Sequence, residues 1–147
     1  AREWNLHLVN LSAGAPKDGL FRTSPTECCR IRKVEPLLKA LEGYDVWFTG
    51  LRREQSPTRA QLEIEELHTL PSGKQIAKLN PLAFWTMKDV WSYLRANEIE
   101  YLPLYDRGYT SIGCEPCTTV PAPGADARSG RWGGAKLECG IHTFDQR

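Results

Sequence analysis

The order of apolar and polar positions divides the chain into a series of short elements. Leu6-His7-Leu8-Val9-Asn10-Leu11 reads as a strand, entered almost at once from Ala1-Arg2-Glu3-Trp4, which reads as a helix tail. A helix tail feeding directly into a strand predicts that part of an α/β sheet precedes this sequence. After a Gly/Pro-rich loop over residues 13–19, Ser24 and Pro25 offer N-cap and first-turn chemistry for a helix. Cys28 and Cys29 fall in its first turns, and Arg32 and Lys33 lie one turn further along the same faces. Pro36 is expected to break or re-nucleate this helix before Leu37-Leu38-Lys39-Ala40-Leu41, with Gly43 ending it.

Residues 45–50, Asp-Val-Trp-Phe-Thr-Gly, form an apolar run of the kind that makes a buried parallel strand. Ligands of open α/β sheets bind beyond the carboxyl ends of such strands, and here the following loop carries Arg52, Arg53 and Arg59. Residues 63–70 and 74–79 flank Pro71-Ser72-Gly73 as a β-hairpin. Thr86 caps an amphipathic helix reaching about Asn97, with Val90, Trp91 and Leu94 on its buried stripe. The remainder, residues 118–147, is rich in Gly, Pro and Ala around Arg128 to Gly134, a composition that predicts a mobile segment leading to Cys139. The order of elements specifies an α/β fold.

Composition narrows the function. At 147 residues, 41% hydrophobic and 25% charged, the chain is one domain with a core. A net charge of +1 argues against a general nucleic-acid or membrane surface, so an anionic ligand must be held by a local cluster of basic residues. No apolar run approaches the length of a membrane span, and the expected location is cytoplasmic and reducing.

The five cysteines carry the chemistry. Cys28-Cys29 and Cys114-Glu-Pro-Cys117 are two tight pairs, and Cys139 stands alone. Two short pairs can deliver four thiolates to one site by bringing together only two pieces of backbone. An odd count in a reducing location argues against a disulfide framework. Charge does not separate zinc from a 4Fe-4S cluster, since either with four thiolates carries about −2. Geometry leans toward the cluster, because helical neighbours point about 100° apart and suit separate irons better than one tetrahedral ion. Arg30, Arg32 and Lys33 are placed to offset the negative charge. A structural zinc domain with a spare thiol remains the alternative of a different class.

These residues, in Glu27-Cys28-Cys29-Arg30-Ile31-Arg32-Lys33-Val34-Glu35-Pro36-Leu37, Thr49-Gly50-Leu51-Arg52-Arg53-Glu54-Gln55-Ser56, Gly113-Cys114-Glu115-Pro116-Cys117 and Glu138-Cys139-Gly140-Ile141-His142, give the chain a resemblance to a known family. Over residues 17–142 it resembles the assimilatory adenylyl-sulfate reductases of the iron-sulfur, thioredoxin-dependent type. The resemblance implies a partial adenine nucleotide alpha-hydrolase-like, Rossmann-like sheet with a cluster-binding C-terminal region and a flexible catalytic tail. It implies that Cys28, Cys29, Cys114 and Cys117 ligate a 4Fe-4S cluster, and that Lys33 bridges the cluster's field to the substrate. Arg59, Arg128 and Arg131 would hold the phosphate and sulfate of adenylyl sulfate, His142 matches the terminal motif of the substrate site, and Cys139 would be the nucleophile.

The family's upstream half carries a Ser/Gly-rich phosphate loop, and residues 1–147 hold none; the sequence is expected to be the C-terminal portion of such an enzyme. Thioredoxin or a similar dithiol protein is expected as a separate partner. The oligomeric state is left open, a homo-oligomer included, as is the choice between adenylyl sulfate and its 3′-phosphorylated form. The implied reaction joins an anionic thiolate to an anionic substrate, so cations must gather at the site, and Cys139 needs a lowered pKa against the opposing charge of Glu138.

Overall fold

The computed structural model describes residues 4–14 and 18–142. The expected helix tail over residues 1–3, the middle of the Gly/Pro loop and the last five residues of the tail lie outside them.

Residues 20–41 are helical. α1 (Leu20–Thr23) runs into α2 (Pro25–Cys29), with Pro25 in the first turn as expected and Ser24 at the N-cap position, although no side-chain capping bond is made. Pro36 does not break the helix. Residues Arg30–Val34 widen into a π turn in which the Glu35 N–H reaches back to the Arg30 carbonyl, and α3 (Glu35–Leu41) begins with Pro36 in its first turn. A proline cannot donate the next helical bond, and the wider turn accommodates that loss without ending the helix.

The sheet has three strands in the order β1-β3-β2, with β1 (Val46–Phe48) parallel to β3 (Gln75–Leu79) and β2 (Glu65–Thr69) antiparallel to β3. The hairpin forms as the alternation specifies, its register pairing His68 with Ile76 and Glu66 with Lys78. Strand periodicity puts His68, Ile76 and Lys78 on the covered face, all buried. Leu41, Leu70 and Ile76 form the main core cluster with Leu37, Leu38 and Trp47 against it, while Leu51, Leu62 and Ala83 make a second one beside the strand ends.

Three sequence expectations are corrected. Residues 6–11 form no strand; Leu6, Leu8, Val9 and Leu11 are exposed, and without a neighbouring strand an extended apolar run has no ladder to join. β1 is parallel but not buried, because it is the edge of this sheet and no described strand lies beyond it. Val46 and Phe48 are 45% and 67% exposed, and only Trp47 points into cover. On α4 (Met87–Ala96) the Val90, Trp91 and Leu94 stripe exists but is only half-buried. The cap of α4 is as expected: Thr86 Oγ1 accepts from the Asp89 N–H at 3.1 Å and Asp89 Oδ2 accepts from the Thr86 N–H at 2.8 Å.

A buried amide positions the arginine loop. Asn80 is fully buried; its Nδ2 donates to the Glu63 carbonyl at 2.8 Å and to Glu66 Oε2 at 3.0 Å, and its Oδ1 accepts from the Thr49 hydroxyl. The Thr49 N–H continues the ladder to the Leu79 carbonyl at 2.8 Å. The turn from β1 into residues 50–59 is therefore fixed from the side. Asn80→Ala removes three hydrogen bonds made by a fully buried side chain and is expected to cost about 2 kcal/mol, read as a shift in urea midpoint at constant slope.

Candidate functional site

One cleft of about 870 Å³ gathers Lys33, Arg52, Arg59, Arg128, Arg131, Glu138, Cys139 and His142. They come from the cysteine helix, the arginine loop after β1, and the C-terminal segment. All six residues that the sequence offered for catalysis and substrate binding are in this set.

Four of the five thiols sit on two elements, and Lys33, just beyond the first, hydrogen-bonds Cys114 on the second. Cys114 opens and Cys117 closes a tight turn in which the Cys117 N–H bonds the Cys114 carbonyl at 3.0 Å. All five cysteines are free. Burial of Lys33 disfavours its charge, yet its hydrogen bond to Cys114 and the fields of Cys114, Cys139 and Cys29 raise its pKa above the ordinary lysine value. Burial pushes the Cys29 thiol up, against the fields of Lys136 and Lys33 and with those of Cys139 and Cys28. Burial likewise raises Cys117, with Cys114 and Cys28 acting in the same sense. Cys117 of one pair thus feels Cys28 of the other. Among the described residues no group of three or more His, Cys, Asp or Glu is drawn together so as to hold one metal ion.

The basic neighbours divide their work. Arg32 Nη1 donates to Cys28 Sγ at 3.6 Å and its Nη2 to Asp18 at 2.8 Å. Arg30 is exposed and forks onto Glu27 and Glu35 instead, so the structure does not turn it to the thiols. Lys136, which sequence inspection did not single out, reaches Thr26 Oγ1 at 3.3 Å and ties the C-terminal segment to the start of α2.

The arginines are held by carbonyls and one carboxylate. Arg131 is buried, donates to the Ile112 carbonyl at 3.1 Å, and lies over the Trp132 ring at 4.5 Å. Its guanidinium fills the space where a Cβ at position 113 would be, so the glycine before Cys114 is required by this arginine. Gly130 is required in the same way by the Thr119 carbonyl, whose own N–H bonds Gly130 O at 2.8 Å. Trp132, Gly133 and Gly134 follow with φ of 48°, 61° and 81°, a left-handed run that turns the chain back toward the thiols. Arg128 Nε donates to the Leu137 carbonyl at 3.1 Å. Burial, with the like charges of Arg59 and Arg131, holds its pKa below the usual arginine value.

Glu138 is the residue whose place the sequence did not reveal. Its Oε1 accepts from Arg59 Nε at 2.8 Å and from Thr58 Oγ1 at 3.1 Å, and its Oε2 from Arg59 Nη2 at 2.7 Å. Burial opposes its charge, but those bonds and the charges of Arg59 and Arg128 keep the carboxyl below its ordinary value. Its adjacency to Cys139 was the available signal, and the two-pronged pairing with Arg59 was not readable from spacing.

His142 stacks on Trp47 with ring centroids 5.2 Å apart, while His68 meets the same indole edge-on at 5.6 Å. Burial, then the charges of Arg59 and Lys78, bring its pKa down to about 4, with Glu138 acting in the opposite sense. At neutral pH it is an uncharged ring beside the cations.

A family model described as the phosphoadenosine phosphosulfate reductase domain matches residues 9–120. The adenosine 5'-phosphosulfate reductase of Mycolicibacterium smegmatis is 47% identical over 149 residues, covering 95% of this chain and 62% of that protein. The phosphoadenosine 5'-phosphosulfate reductase of Gloeobacter violaceus is 52% identical over 127 residues, covering 84% of this chain and 52% of that protein. Among solved structures, the phosphoadenylyl-sulfate reductase of Candida auris in its phosphate complex superposes with a TM-score of 0.57 at 33% identity, covering 69% of this chain and 47% of that one. The fold is accordingly adenine nucleotide alpha-hydrolase-like, and the chain spans only part, between 52% and 62%, of the two curated relatives named.

The lowered pKa of His142 sets a pH dependence with a definite sign. The unfolded chain binds the proton more tightly, so the stability tied to a neutral His142 is complete above about pH 6.5 and is lost as pH falls toward 4. The loss reaches about 3 kcal/mol. His142→Phe keeps a ring on Trp47 and is expected to flatten the dependence between pH 6.5 and 4, measured by amide exchange in residues 138–142.

Proposed function

The chain belongs to the phosphoadenosine phosphosulfate reductase domain family, and from that premise we propose that it carries the thiol and anion-binding portion of an adenylyl-sulfate reductase. In this reading Cys139 attacks the sulfonyl sulfur of adenylyl sulfate. The bond from that sulfur to the phosphate oxygen breaks, AMP leaves, and a cysteine S-sulfonate remains. A dithiol protein, thioredoxin or one like it, then attacks Cys139 Sγ. Sulfite departs with the S–S electron pair, and the second thiol of the partner resolves the mixed disulfide to return Cys139. The two electrons that reduce sulfate to sulfite come from the dithiol, which ends as a disulfide.

The observation that carries the proposal is the single cleft in which Cys139 lies with Lys33, Arg59, Arg128, Arg131 and His142. A thiolate and a sulfonated nucleotide repel each other, and the reaction requires cations at the oxygens of both the sulfate and the phosphate. Arginine forks suit those oxygens, and Lys33 places a point charge between the thiols and the cleft. Removal of His142 from charge balance at neutral pH leaves the positive potential to Lys33 and the arginines.

Cys28, Cys29, Cys114 and Cys117 would hold a 4Fe-4S cluster. They offer four free thiols on two elements, with Cys28 in electrostatic reach of Cys117. The reading prefers a cluster to zinc because Cys28 and Cys29 are helical neighbours that point about 100° apart, which suits separate irons better than one tetrahedral ion. When bound, the cluster would join the helix to the Cys114 turn and add a fixed negative charge beside Lys33. The similarity to the Gloeobacter protein supports a second substrate reading, phosphoadenylyl sulfate, which side-by-side kinetics on the two nucleotides decide.

Anaerobically purified protein is expected to contain iron and acid-labile sulfide in equal amounts and no zinc, and Cys114→Ser to lose both. Full retention in that variant removes the ligand assignment. Cys139→Ser is expected to keep its iron and lose turnover. In the full-length natural polypeptide, adenylyl sulfate without a dithiol is expected to add about 80 Da, one SO₃ group, to the peptide carrying Cys139. An adduct on another cysteine assigns the nucleophile elsewhere.

A further inference from the structure

The arginine fork best shaped for a sulfate is already occupied by a carboxylate. Arg59 gives Nε and Nη2 to the two oxygens of Glu138 at 2.8 and 2.7 Å, and Arg128 Nη2 stands 3.7 Å from Oε2. The side chains of Glu138, Arg59 and Arg128 are only 9%, 10% and 12% exposed, so this is not a solvated surface pair. The carboxylate comes from the residue next to Cys139. Two parallel N–H donors are the same recognition that phosphate and sulfate oxygens receive from arginine.

We propose that Glu138 is a positioning residue that exchanges with the substrate's anion: it holds the Arg59 fork and docks Cys139 until a sulfate or phosphate group displaces it. The inference rests on the reading of this cleft as the site of a sulfonated nucleotide. Both anions cannot use one fork, since the second would meet the first at hydrogen-bonding distance with no cation between them. Departure of the Glu138 carboxylate must then move Cys139, because consecutive Cα atoms are fixed about 3.8 Å apart. The joints for that movement are present. Gly133 and Gly134 precede the pair, Gly140 follows it, and all three hold positive φ, with Gly140 at 97°. Arg128, tied to the Leu137 carbonyl, keeps the preceding residue near the fork while Glu138 swings. The exchange couples arrival of the oxyanion to release of the nucleophile, and it returns the segment to its dock once sulfite and AMP have gone.

The test reads Cys139 directly. Its alkylation by iodoacetamide is followed by peptide mass in inorganic sulfate and in chloride at matched ionic strength. Sulfate is expected to accelerate alkylation of Cys139 in the unaltered protein several-fold. Glu138→Gln is expected to alkylate fast in chloride alone and to bind sulfate about tenfold more tightly, the ratio that one charge-assisted pair carries. Glu138→Asp, which keeps the charge, is expected to restore the slow rate in part. Equal alkylation rates in sulfate and chloride for the unaltered protein overturn the proposal without needing any variant, as does unchanged sulfate affinity in Glu138→Gln. A sulfate-coupled rate without an SO₃ adduct from adenylyl sulfate leaves the exchange standing and removes the reductase reading; an adduct without the coupling does the reverse.

Discussion

Concentrated positive charge is the constraint around which the described structure is arranged. Lys33, Arg59, Arg128 and Arg131 border one cleft, and each is drawn there against burial or mutual repulsion, as the depressed pKa of Arg128 records. Such a group persists only where anions or dipoles answer it. Here the answers are the thiol groups around Lys33, the Glu138 carboxylate in the Arg59 fork, and the carbonyls of Ile112 and Leu137. A site so balanced is prepared to accept an anion, because any oxyanion entering replaces a compensation the protein already supplies.

That balance explains how the three segments are joined. The cysteine helix, the arginine loop and the C-terminal segment share little apolar packing; the two buried apolar clusters lie under the sheet and at the strand ends. What connects them is polar and short-ranged: Lys136 reaches Thr26 on the cysteine helix, and Glu138 accepts from Thr58 and Arg59 of the arginine loop. Polar ties specify position sharply and add little net stability, which suits segments that have to meet at one place and still separate. The apolar sheet face carrying Val46, Phe48 and Leu67, by contrast, is open among the described residues.

What the sequence made legible follows the range of the forces involved. The hairpin was readable from two runs flanking a Pro-Ser-Gly turn, and the start of α4 from Thr86 as its N-cap, because both are local rules. The cleft residues were found because cysteine pairs and arginine-rich loops are rare enough to carry chemistry by themselves, and the family resemblance joined them. Burial was read less well. The Val-Trp-Phe run looked buried, but the covering of a strand depends on neighbours that no local pattern contains, and residues 6–11 lacked a partner for the same reason. The π turn before Pro36 was half legible: the missing donor was visible, while its accommodation by a wider turn was not.

Glu138 shows where reading a residue by its own charge goes astray. Beside the Cys139 thiol, a carboxylate looks like a simple hindrance, since it disfavours the thiolate. Once its partners are known the account changes, because the charge that matters is the sum over Glu138, Arg59 and Arg128, and that sum is positive. The carboxylate then lowers an excess of positive charge between the two guanidinium groups. A neutral residue at 138 would leave two facing guanidinium groups uncompensated, and a lysine would add a third cation. The acidic residue next to Cys139 therefore offsets the charge of Arg59 and Arg128 where the two are buried together.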